Sequence, residues 1–150
     1  MLNIKYKIVI LFLGLVLLSA CKNELQQTAG EYSYKISGMV MVDTTEVPLT
    51  NEAGVVYINE SNDALVLTFN MIVGDIYKTE AEVKNKKITL APFERVIEVY
   101  SRDYKVKISG EGDVYDNNIV LNLQYSGAAL KADSIKLDGN DILLLATRNK

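Results

Sequence analysis

The chain is 150 residues long, with one cysteine and no histidine. Those two counts exclude an intramolecular disulfide, Ser–His–Asp or Cys–His nucleophilic catalysis, and zinc sites of the usual kind. Sixteen basic residues against nineteen acidic ones leave a net charge of −3. With no basic stripe, the chain is a poor binder of nucleic acid or of an anionic membrane surface.

Lys5 and Lys7 open the chain with positive charge, and Ile8–Leu18 is an apolar run broken only by Gly14. About eleven residues suit the hydrophobic region of a signal peptide and fall short of the ~20 needed to span a bilayer. Ser19 and Ala20 then lead into Cys21. Small side chains suit a protease reading an extended segment, and a thiol is the nucleophile for thioether formation. Leu18-Ser19-Ala20-Cys21 resembles the lipobox of bacterial lipoproteins. The resemblance implies a signal peptide over residues 1–20, cleavage before Cys21, and lipidation of Cys21. Two or more acyl chains anchor stably where one holds only marginally. Cys21 is then consumed by lipid, and the rest carries 14 basic against 19 acidic residues, a net charge of −5.

Residues 21–30, with "NELQQTAG" (Asn23–Gly30), are polar and lack a hydrophobic period. They read as a lipidated tether ahead of a single domain over residues 31–150.

Within that domain, period-two alternation dominates. Tyr32, Tyr34, Ile36, Gly38, Val40 and Val42 share one face, opposite Ser33, Lys35, Ser37, Met39 and Met41. Val55–Asn59 follows, then Leu65–Val73 with Leu65, Leu67, Phe69, Met71 and Val73 on one side. Ile76–Val83 sets Tyr77, Thr79, Ala81 and Val83 against Ile76, Lys78, Glu80 and Glu82. Lys87–Leu90 comes next. Tyr104–Gly112 alternates against Lys105, Lys107, Ser109 and Glu111, and Ile119–Tyr125 repeats the pattern before Ile142–Ala146. Such runs are half-buried antiparallel strands.

Turn chemistry separates them: "ESND" at Glu60–Asp63, "VGD" at Val73–Asp75, "KNK" at Lys84–Lys86, "SRD" before Tyr104, "YDNN" before Ile119 and "DGND" at Asp138–Asp141. Pro48 and Pro92 fall near strand ends, where a missing N–H is tolerated. Gly127–Lys136 reads either as one or two helical turns or as a lead into a strand at Ser134–Leu137. Eight to ten short strands with tight connections predict an all-β, antiparallel up-and-down barrel, with a β-sandwich as the alternative. A transmembrane barrel does not fit, because Lys35, Lys105, Lys107 and Glu111 lie on the faces opposite the core.

Chemistry is sparse. Glu80 and Glu82 share a strand face, and Glu94 and Glu98 are four apart, so paired-carboxylate hydrolysis is thinkable. The plainer reading makes Glu80 and Glu82 part of a solvated face. "EGDVYDNN" and "DGND" are oxygen-rich but lack the spacing of a calcium-binding hand loop, and they read as turns. No catalytic residue, metal or cofactor is expected. Met39, Met41, Phe69, Met71, Tyr34, Tyr57, Tyr104 and Tyr125 suit an apolar cavity with polar handles, and they also suit an ordinary core. If a cavity exists, its lining includes Phe69, Met71, Tyr104 and Tyr125, which share the apolar faces of the cleanest strands. Apolar Met39 and Met41 on the other face of the first strand point to a covering element or a partner.

"AGEYSYKISGMVMV", with its Gly-x-Tyr opening, and "KISGEGDVYDNNIVLNLQYSG" resemble the calycin-like or lipocalin-like lipoproteins of Bacteroidota. The resemblance runs from about Gly30 onward. True lipocalins usually show Gly-x-Trp there, and this chain has Tyr32. It implies an envelope protein, lipid-anchored at the outer membrane, that binds a small ligand or a protein partner. Three functions follow as expectations: a non-enzymatic ligand-binding barrel, an accessory subunit of an outer-membrane complex, and, last, a carboxylate-dependent hydrolase.

Overall fold

A computed structural model describes residues 24–49, 52–72 and 76–150, without the side chains of 132 and 133. The apolar run, Cys21 and the "VGD" turn lie outside the described residues. The alternating runs form ten strands: β1 Gly30–Ser37, β2 Met39–Val42, β3 Thr45–Pro48, β4 Ala53–Ser61, β5 Ala64–Met71, β6 Ile76–Lys84, β7 Lys87–Val99, β8 Arg102–Val114, β9 Asn118–Ala129 and β10 Ala132–Arg148.

All ten belong to one antiparallel sheet in which β4 to β10 follow in chain order. β1 closes the ring against β10, from Tyr32 opposite Arg148 to Ser37 opposite Leu143. The result is a closed eight-stranded up-and-down barrel, not a sandwich. β2 continues the line of β1 along β10, pairing Met41 with Asp138 and Val42 with Leu137, and β3 pairs back onto β2. The break between β1 and β2 is Gly38, at φ +156°, where a Cβ would meet the Ile142 Cα at 2.9 Å. Only glycine bends there without a clash.

Three connections are two-residue hairpins with both residues at positive φ: Asn62–Asp63, Asn85–Lys86 and Tyr100–Ser101. That geometry matches the right-handed strand twist. Asn and Asp suit it, whereas Lys86 and Tyr100 are held in it by the strands on either side.

Four details differ from the sequence reading, the first being the division of the Tyr32–Val42 run at Gly38 into β1 and β2. The Asp138–Asp141 stretch is not a turn but a register irregularity inside β10, between Gly139 and Ile142. The β9–β10 turn falls instead at residues 130–131, with no helical turn in Gly127–Lys136. Pro92 lies mid-strand in β7, at a register shift between Leu90 and Phe93 where the ladder is already interrupted.

The expected inward faces are the buried ones. Tyr32, Tyr34, Ile36, Val56, Ile58, Leu65, Leu67, Phe69, Val106, Ile108, Leu121, Leu123, Tyr125, Leu144 and Ala146 fill the barrel. Met39 and Met41 point outward at 49% and 37% exposure.

The ends of the barrel differ. One end holds the turns at 62–63, 85–86 and 115–117 together with residue 24, where the described chain starts, and the C-terminus. Residues 24–28, within the stretch read as a tether, form a short helix there, with Leu25 and Thr28 buried. The Tyr32 hydroxyl donates to the Thr28 carbonyl at 2.9 Å. Arg148 donates to the Gln27 carbonyl and to the Tyr32 hydroxyl. The Asn85 N–H donates to Glu24 Oε2 at 3.0 Å. The other end carries the turns at 43–44, 100–101 and 130–131 and the break between β3 and β4.

Candidate functional site

The register shift in β7 decides what faces the interior. Beyond Pro92 the inward positions are Phe93, Arg95, Ile97 and Val99, so an arginine takes a place among apolar residues. The Ala91 carbonyl, freed from the ladder at the shift, accepts from Thr79 Oγ1 at 2.8 Å. Arg95 is 7% exposed in its side chain, and its partner Glu52, just ahead of β4, is 12% exposed. The two form a charge-assisted hydrogen bond across the barrel.

Around this pair the interior is aromatic. Arg95 lies over the Tyr77 ring, 4.9 Å from its centroid, and Nη1 lies 2.9 Å from Met71 Sδ. Phe69 and Tyr77 stack at 4.7 Å, Tyr77 and Phe93 at 5.3 Å, and Tyr34 meets Phe69 edge-on at 5.2 Å. A guanidinium over a ring face gains electrostatically from the ring quadrupole. The Arg95 Nε and the hydroxyls of Tyr34 and Tyr125 are buried and have no hydrogen-bond partner among the described residues. The Tyr34 and Tyr77 hydroxyls are near enough to influence each other's protonation, yet Tyr34 does not meet bonding geometry.

Electrostatics follow from burial. Desolvation pushes the phenols of Tyr77 and Tyr125 well above the ordinary tyrosine value, with the Arg95 charge opposing it. Tyr34 is raised for the same reason. For Arg95, burial works against the charge, but Glu52 and the neighbouring phenols outweigh it and hold the guanidinium protonated.

Of the residues expected to line a cavity, Phe69, Met71 and Tyr125 gather around Arg95. Tyr104 sits one inward position further along, opposite Ile97 and Ala129, and is buried. The sequence reading missed Arg95, Glu52, Tyr77 and Phe93 as members of one cluster. Their signal was present in the alternation Phe93-x-Arg95-x-Ile97-x-Val99, legible once a bulge at Pro92 is allowed. On that strand the acidic residues, Glu94 and Glu98, are the exposed ones.

Other candidates remain apart. Glu80 and Glu82 are exposed, and Glu94 pairs at the surface with Lys105 at 2.7 Å. Among the described residues no three acidic, cysteine or histidine side chains meet in a metal-binding arrangement. A groove of about 560 Å³ lies at the helix end, lined by Gln26, Gln27, Lys86, Tyr115, Asn117 and Arg148 among others. Grooves of 410 to 430 Å³ run along the outer surface of the sheet.

No protein-family model, curated protein or solved structure matches this chain. The site therefore stands on its own chemistry. The chemistry on offer there is a buried ion pair, a stack of three rings and three polar atoms that lack a hydrogen-bond partner among the described residues.

Proposed function

We propose that the chain is an envelope lipoprotein, anchored at the outer membrane through lipid on Cys21, whose barrel binds a small amphipathic ligand without chemical conversion. The observation that carries this reading is the set of unpaired polar atoms around Arg95. Leaving a buried donor or acceptor unsatisfied costs about 1–3 kcal/mol per group. A ligand head group meeting Arg95 Nε, Tyr34 and Tyr125 removes that cost, while Phe69, Tyr77 and Phe93 offer ring faces to its body. Apart from Glu52, which Arg95 neutralises, the acidic side chains on the described strands lie toward the outer surface, which supports binding over catalysis. Native mass spectrometry of the full chain, purified in mild detergent, tests the reading. A bound organic species that is lost in Arg95→Met is expected, and a ligand-free mass in every preparation argues against it.

Position supports the same reading. Only two residues separate Cys21 from the helix at 24, at most about 10 Å of chain. Anchored there, the barrel stands with its capped end toward the membrane, and the end nearer Arg95 faces away.

A second reading, as an accessory subunit of an outer-membrane protein complex, draws on exposed apolar side chains. Met39, Met41, Leu143 and Leu145 lie on the outer face of β2 and β10, and Ile72, Ile76, Tyr100 and Leu130 sit at turns of the far end. Crosslinking from these positions in the native envelope distinguishes the two.

A further inference from the structure

The charge balance around Arg95 selects among head groups. Apart from Arg148 at the capped end, the inward positions of the described strands hold one cation, Arg95, and Glu52 already neutralises it. Any carboxylate reaching the Arg95 Nε would place a second anion beside Glu52, with one guanidinium between them and no further cation to offset it. Like charges in a site of low dielectric repel strongly. The groups left to satisfy ask for something else: Arg95 Nε–H is a donor, and the Tyr34 and Tyr125 hydroxyls donate or accept. A carbonyl oxygen accepts two such bonds without bringing charge.

We infer that the Arg95 site takes a neutral, carbonyl-bearing head group, an amide, ester or ketone on an apolar body, and that Glu52 is the specificity residue that excludes acids. This rests on the barrel being a small-ligand binder. Arg95 supplies hydrogen bonds and geometry, and Glu52 spends its charge internally. Removing the carboxylate inverts the preference, because the guanidinium then lacks a counter-ion and recruits one.

The test uses the full chain in nanodiscs, labelled with ¹⁵Nε-arginine and ¹³Cζ-tyrosine, and two probes of nearly equal shape, octanamide and octanoate, at pH 8. Octanamide is expected to shift the Arg95 Nε resonance and the Tyr34 and Tyr125 signals, and to bind about tenfold or more tighter than octanoate. In Glu52→Gln, octanoate becomes the tighter probe. Tyr34→Phe/Tyr125→Phe keeps the charges and weakens octanamide by about tenfold, which preserves the test if the Glu52 variant does not fold. Tighter binding of octanoate by the unaltered chain overturns the selectivity and leaves the ligand-binding barrel standing. If neither probe moves these signals, the ligand site itself is overturned, and the selectivity with it.

Discussion

The Arg148 guanidinium lies over the ring of Tyr32, 4.9 Å from its centroid, and so joins the last residue of β10 to the start of β1. The same guanidinium donates to Tyr32 Oη and to the Gln27 carbonyl, and Tyr32 Oη donates onward to Thr28. Barrel closure and the N-terminal helix therefore share one contact. Arg148→Ala is expected to cost about 2 kcal/mol, from the lost cation–π contact and charged hydrogen bonds. Tyr32→Phe keeps the ring and costs about 1 kcal/mol. Urea unfolding of both variants measures the difference, and equal losses would put the contact in the hydroxyl's hydrogen bonds, with nothing left for the ring.

Arg95 and Glu52 set up a different balance. Glu52→Ala leaves a guanidinium buried without its partner and is expected to destabilise by about 3–5 kcal/mol. Arg95→Met/Glu52→Leu removes both charges together and is expected to be neutral or stabilising, since pairing two ions in an apolar interior barely repays their desolvation. Denaturant midpoints of the single and double variants check the sign. A double variant as unstable as Glu52→Ala would mean the pair contributes more than it costs.

Alkaline pH bears on the same interior. Burial holds the Tyr77 and Tyr125 phenols above the tyrosine value of 10.0. Above that value the unfolded chain releases protons that the folded chain keeps, so stability falls as pH rises from about 10. Below it the contribution is fully present. Unfolding free energy measured between pH 8 and 12 should therefore decline, with a shallower slope in Tyr77→Phe/Tyr125→Phe. Parallel curves would show that the two phenols are not the cause.

Core and surface should respond in opposite ways. Leu121 is 1% exposed and pairs inward across β8 and β10, so Leu121→Ala is expected to cost about 2–5 kcal/mol through transfer and cavity terms. Glu80→Gln/Glu82→Gln on the outer face of β6 should stay within about 0.5 kcal/mol. A large loss in the glutamine pair would reveal a role that its exposure does not suggest.

Lipidation gives the last prediction. Mass spectrometry of the mature protein should show an N-terminal Cys21 carrying acyl mass, and Cys21→Ser should release the chain from membranes. Cysteines introduced at Asn62 and at Tyr100 in the lipidated protein report the two ends of the barrel. Spin-labelled lipid should relax a label at position 62 far more than one at 100. Equal effects would mean the barrel lies on its side.

Alternation in Tyr32–Val42, Leu65–Val73, Tyr104–Gly112 and Ile119–Tyr125 determined the inward faces of their described residues, because a period of two admits only one division of each run into wet and dry sides. It did not determine the break at Gly38 that divides the first run into β1 and β2. The absence of histidine and the single cysteine likewise excluded whole classes of chemistry from composition alone. The Arg95 cluster was decided by the tertiary structure. A one-residue register shift at Pro92 reverses which residues of β7 face inward, and nothing local in "LAPFERVIEV" states that the shift occurs. Glu52 reaches Arg95 only because closing the barrel brings the start of β4 across from β7, 43 residues away in the chain. Pairings of that kind depend on the whole ring of strands, so they become visible only once the ring is closed.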